Sequence, residues 1–136
     1  MIKINDHEYS LEKFNYNWGK FTRTYHSITK SGIAPRLLFI VGDEDNSKEL
    51  LLELSITDKE FKDMPIGKEL DMSEEVTDIG YTDHEGWLTL NGSSYIFKLT
   101  KLDLNRFLIN FKCEDCFENI FFEIDEKIIL EFPKKD

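Results

Sequence analysis

The sequence predicts a mainly β fold: an antiparallel sandwich or a partly closed barrel of roughly nine or ten strands with one short helix. Three observations carry that expectation. From Leu104 to Phe132, apolar residues alternate with polar ones: Phe107, Ile109 and Phe111, then Ile120, Phe122 and Ile124, then Ile128, Leu130 and Phe132. Period-2 alternation of β-branched and aromatic residues marks half-buried strands, and short polar turns between such runs make an antiparallel meander. Second, Asn91-Gly92 lies between two further alternating runs, Gly86–Leu90 and Ser93–Leu99, which is the preferred chemistry of a tight hairpin turn. Third, the chain never settles into alternation of strands with long helices.

Taken in order, Ile2 and Ile4 face Tyr9 and Leu11 across an Asn5-Asp6-His7 turn, an opening hairpin. Phe14, Tyr16 and Trp18 alternate with Asn15 and Asn17, so three rings share one strand face. Phe21, Arg23 and Tyr25 repeat the alternation after Gly19, a place for a bulge or turn. Ser31-Gly32 and Ala34-Pro35 read as a break, and Arg36–Val41 as a buried strand. Leu50, Leu52, Leu54 and Ile56 form the partner strand, preferred over a helix because a better helix start follows at once. Thr57-Asp58-Lys59-Glu60 is a capping box, and Pro65 stops the helix it opens. Ile66, Leu70 and Met72 read as a strand, and residues 73–86 as an acidic loop. The Asn-Gly hairpin pairs Leu88 with Tyr95, and the meander follows.

At 136 residues the length fits one domain, 1–136, able to bury a core without staples. No apolar run approaches the roughly 20 residues of a membrane span, and the first residues lack the apolar stretch of a secretory signal. The expected setting is cytoplasmic, with no membrane partner. The net charge of -10 is unevenly placed. Residues 1–36 hold six Lys/Arg and three Asp/Glu; residues 43–85 hold four Lys and 15 Asp/Glu. Such an acidic segment repels phosphates, so no nucleic acid is expected, whereas a basic protein or a cation suits it.

The candidates for chemistry are few. Cys113-x-x-Cys116 has the spacing of a zinc knuckle or a redox pair, but zinc needs two more ligands, and only His7, His26 and His84, all distant in sequence, offer imidazoles. Glu114, Asp115 and Glu118 disfavour a thiolate, and Lys112 opposes them only in part. Structural thiols and no bound metal are the expectation. Asp43, Asp45 and Ser47 resemble the start of a calcium loop, yet Lys48 stands where glycine belongs and Leu54 where glutamate belongs. His84-Glu85 lacks a second histidine at metalloprotease spacing. No nucleophile or phosphate-loop motif is present, so no enzymatic activity and no cofactor are expected.

What remains is recognition. Residues 43–85 present negative charge to a basic protein partner, in the manner of an inhibitory or toxin-neutralising protein, with Glu74, Glu75 and Asp78 as contacts. The Phe14–His26 strand adds Tyr16, Trp18, Arg23 and Tyr25, residue types enriched at interface hot spots. Three alternatives stand beside this. A small barrel can hold an apolar ligand, the Phe14–Tyr25 strand can bind carbohydrate or peptide, and the same aromatic row can simply face the core. The molecule is expected to be a monomer or a homodimer, the latter through an edge strand.

Overall fold

Alternation of apolar and polar residues puts every apolar row on one face of a sheet, and two such faces close on each other. The computed structural model describes residues 1–42, 47–83, 86–89, 94–115 and 120–134. Its strands are β1 (Ile2–Ile4), β2 (His7–Tyr9), β3 (Leu11–Tyr25), β4 (Ile28–Val41), β5 (Lys48–Leu54), β6 (Glu69–Asp71), β7 (Val76–Asp83), β8 (Gly86–Thr89), β9 (Ser94–Lys101), β10 (Arg106–Asp115) and β11 (Phe122–Ile129). One helix, α1 (Asp58–Asp63), and a 3-10 turn at Ser73–Glu75 sit between β5 and β7.

The strands form a six-stranded sheet, ordered β2-β1-β11-β10-β9-β6, and a five-stranded sheet, ordered β3-β4-β5-β7-β8. All pairs of these strands are antiparallel. Both sheets end in edges, so the sandwich forms and the barrel does not. Between the layers, Phe97, Phe107, Phe111 and Phe122 meet Leu37, Phe39, Leu50 and Leu52, each at most 2% exposed. Burying a side chain of this size contributes about 2 kcal/mol. Phenylalanine rings therefore fill the space that a ligand-holding barrel would have kept open.

The capping box forms as its residues dictate. Thr57 Oγ1 accepts from the Glu60 amide at 3.1 Å, and Glu60 Oε1 accepts from the Thr57 amide at 3.1 Å. The helix ends before Pro65. Lys101, only 3% exposed, places its ammonium 2.7 Å from the carbonyl of Lys62, at the end where helix carbonyls lack partners.

Several sequence expectations are corrected. The polar turn expected between the Ile120–Ile124 and Ile128–Phe132 runs, at Asp125-Glu126-Lys127, does not form, because β11 runs straight through it. The terminal ammonium of Met1 pairs with the Glu126 carboxylate there, so a charged residue is accommodated within the strand. The acidic loop expected at residues 73–86 is a strand over Val76–Asp83: Val76, Ile79 and Tyr81 of β7 enter the core, and the intervening residues are those that hid the pattern. The hairpin pairing Leu88 with Tyr95 is also overturned. Leu88 pairs with Tyr81 in the five-stranded sheet, and Tyr95 with Cys113 in the other. The Asn91-Gly92 turn itself lies outside the described residues. So do Asp43 and Asp45 of the calcium-like turn, His84-Glu85, and Cys116. Cys113 is buried in the core and disulfide-bonded.

The largest departure is the break expected at residues 31–35. Instead β3 and β4 pair from Lys13↔Ile40 to Tyr25↔Ile28 without a register shift. β5 joins β4 only from Arg36 onward. Pro35, which has no N–H to give, stands just outside that ladder, where a missing donor leaves no gap. Residues 20–33 thus form a two-stranded arm that leaves the sheet.

Candidate functional site

The arm starts at an exchange of faces. In the body of the sheet, Phe14, Tyr16 and Trp18 pack on the core. Beyond Gly19 the half-buried residues are Phe21 and Arg23, three and five positions on from Trp18, so the packed face has switched sides. No bulge does this. Two-stranded ribbons twist more strongly than full sheets, and Gly19, with open space where a Cβ would stand, offers the twist no resistance.

The twist lays the arm on the crossover between the sheets. Gly32 comes so close that a Cβ there would sit 2.7 Å from Thr57 Cγ2. A polar network fixes this contact. Arg23 Nη1 donates to Ser55 Oγ at 3.1 Å and to the Glu74 carbonyl at 2.7 Å. Ser55 is fully buried and donates to Glu75 Oε2 at 2.6 Å. Lys30 Nζ bridges Glu75 at 3.1 Å and Glu60 at 2.6 Å. Burial pushes the Glu60 carboxyl up, but the Lys30 ammonium and the Thr57 donors together outweigh it and hold the pKa below its ordinary value. On the far side of the 3-10 turn, the Ser73 hydroxyl and amide hold Asp71 ionised to below its ordinary range.

Past this network the arm is uncovered. Tyr25 and Ile28 close the hairpin as a cross-strand pair, 55% and 72% exposed. Arg23 lies over the Tyr25 ring, 5.3 Å from its centre, and the His26 ring meets it edge-on at 4.2 Å. His26 and Ser27 both take positive φ, 49° and 64°. A two-residue hairpin turn demands that conformation, and Asn-Gly would adopt it at little cost. A His-Ser pair pays about 1 kcal/mol per residue there.

Of the residues singled out in sequence, Arg23, Tyr25, Glu74 and Glu75 are brought together at this arm. Glu74 is exposed, whereas Glu75 is spent on Ser55 and Lys30. Tyr16 and Trp18 face inward. The Tyr16 hydroxyl accepts from the Glu131 amide at 2.9 Å, and Trp18 Nε1 donates to the Glu131 carbonyl at 2.8 Å. The Trp18 ring meets Phe61 at 5.9 Å and Phe132 at 5.5 Å, so it is not a free stacking platform for a sugar. Asp78 stands elsewhere, opposite Glu53 in the β5–β7 ladder. Sequence reasoning missed Ile28, Lys30 and Ser55. Ile28 and Lys30 were hidden because the supposed break at residues 31–35 left no strand immediately before Arg36, and Ser55 looked like an ordinary outward position of the expected Leu50–Ile56 strand.

A second feature is a groove of 270 Å³ on the five-stranded sheet, lined by Asn15, Asn17, Arg36, Leu38 and Leu51. Its Arg36 Nε lies 3.6 Å from Glu53. Among the described residues no group of three or more His, Cys, Asp or Glu is placed to hold a metal ion, and no helix is long and apolar enough to cross a membrane. No family model, curated protein or solved structure matches the chain.

Proposed function

We propose that this protein is a non-enzymatic interaction domain that docks a basic protein partner on the tip of its arm. The observation that carries the reading is the exposed Tyr25–Ile28 pair at the end of an arm whose root is fixed by part-buried hydrogen bonds and ion pairs. Tyr, Arg and a neighbouring aliphatic residue are the material of interface hot spots, and a preorganised mount lowers the entropy lost on docking. The strained His26-Ser27 turn agrees with this, since strain concentrates where a shape serves binding.

The charge of the partner is read from the crossover on which the root of the arm rests, since the arm itself carries Lys20, Arg23 and Lys30 and no acid. The crossover, residues 57–75, carries seven Asp/Glu against three Lys. Glu74 is exposed beside the arm, and Asp71 stays ionised across the neutral range. A basic partner is steered by this field, so charge chiefly sets the association rate and the apolar pair sets the lifetime. The toxin-neutralising or inhibitory role belongs to this reading as its sharpest form. The polar network does not favour catalysis, because the buried Ser55 and the half-buried Glu75, Lys30 and Arg23 are engaged in bonds to one another. The setting is cytoplasmic in this reading. The disulfide at Cys113 stands against that setting; a reduced Cys113 in protein taken from its own cells supports it, and an intact bond there contradicts it.

Photo-crosslinking tests the site. A benzophenone side chain replacing Ile28 should capture one basic protein in the source cells, with capture suppressed by salt. The same group replacing Leu104, which is equally exposed at 72%, is the control. Equal capture from both positions, or none from position 28, contradicts the proposal.

A further inference from the structure

The outer strand β3 is 15 residues long, whereas β2, β6 and β8, at the other sheet edges, have three, three and four described residues. β4 occupies one side of β3, and among the described residues nothing pairs with the other. A long unpaired edge is a template for another strand. Phe14, Tyr16 and Trp18 pack on the core yet stay half-buried, because the sheet stops beside them. Glu12, Lys13 and Lys20 are exposed and make no ion pair among the described residues.

We infer that β3 pairs antiparallel with β3 of a second copy, with Tyr16 opposite itself on the two-fold axis. This goes beyond the arm-tip reading and does not depend on it. In that register Phe14 lies opposite Trp18 and Asn15 opposite Asn17. Lys13 lies opposite Gly19, where a Cβ would meet nothing within 4 Å, leaving room for the lysine stem. Glu12 lies opposite Lys20, at the margin where the bulge between Leu11 and Lys13 ends the regular ladder. Symmetry makes each pair off the axis occur twice, so two Phe14–Trp18 pairs, two amide pairs and two ion pairs form together around the single Tyr16 pair.

Neighbouring registers are poorer. An axis at Asn17 sets Lys13 against Phe21 and Phe14 against Lys20. An axis at Asn15 sets Glu12 against Trp18. A register between residues sets aromatic positions against asparagines and turns one apolar row to solvent. Tyr25 and Ile28 lie beyond the paired stretch, so the dimer leaves both arm tips free.

Sedimentation velocity tests the register through charge reversal. The wild-type chain should sediment as a dimer of its 16.1 kDa mass. Glu12→Lys sets lysine against Lys20, Lys20→Glu sets glutamate against Glu12, and each variant should be monomeric. Mixing the two variants should restore a dimer, because each interface then joins opposite charges. Both positions are exposed, and near-UV circular dichroism checks that the variants fold. A wild-type monomer overturns the inference. So does a dimer indifferent to both substitutions, or two monomeric variants that stay monomeric when mixed.

Discussion

Trp18 and Glu131 are joined across 113 positions of sequence: the indole N–H of the first donates to the carbonyl of the second at 2.8 Å. The Tyr16 hydroxyl accepts from the amide of the same residue, so two side chains of β3 hold the backbone of one residue of the C-terminal strap on both sides of its Cα. The strap is held again at Leu130, whose amide donates to the Asn105 carbonyl at 2.9 Å. Trp18→Phe keeps a ring against Phe61 and Phe132 but removes the donor. Trp18→Phe and Tyr16→Phe should each lower stability by about 1 kcal/mol. The double variant should cost less than the sum, since both groups hold one segment. Urea unfolding of the four proteins of this cycle measures it.

Gly32 is required by the approach of the arm to the helix cap. In Gly32→Ala the new methyl meets Thr57, whose hydroxyl is already committed to the cap and cannot turn away freely. Stability should fall by about 2 kcal/mol. The loss should appear in hydrogen exchange of the arm amides before those of β10 and β11.

The Lys30–Glu60 pair gives the arm a pH dependence. The folded-state pKa of Glu60 lies below its ordinary 4.5, so the pair stabilises fully above that value. Its contribution is lost as pH falls below 4.5 and through the folded value. Lys30→Met should reduce stability at neutral pH and flatten its dependence on pH in this acidic window. Thermal melting from neutral to acid pH distinguishes the two proteins; parallel curves contradict the assignment.

The strands were legible in sequence wherever apolar and polar residues alternate against a half-wet sheet. Phe107, Ile109 and Phe111 declare β10, and Thr57 with Glu60 declares the start of α1, because local chemistry decides both. The arm was not legible. Gly32 and Pro35 are turn residues by composition, but one admits Thr57 and the other stands where β5 ends, and both reasons are tertiary. The exchange of faces at Gly19 hid which side Arg23 and Tyr25 present. β7 was mistaken for a loop because Glu74 and Glu75 just before it and Asp78 and Asp83 within it dominate the composition of the stretch, while Val76, Ile79 and Tyr81 do the packing. At the site, Arg23 and Tyr25 were visible as residue types, whereas their meeting with Glu74 depends on the crossover.

The His26-Ser27 turn should be improvable. His26→Asn with Ser27→Gly places at both positions the residues that accept positive φ most easily, and should raise stability by about 1 kcal/mol or more. An unchanged urea midpoint would mean that the turn carries no strain.

The central claim is that Tyr25 and Ile28 anchor a protein partner. Both are exposed, so Tyr25→Ser combined with Ile28→Thr should leave the urea midpoint near that of the wild type. Isothermal calorimetry of this double variant against the partner captured at position 28 is the most direct measurement. The account predicts at least about a tenfold loss of affinity, the least expected of a hot-spot pair. An unchanged Kd would place the interface elsewhere on the molecule and contradict it.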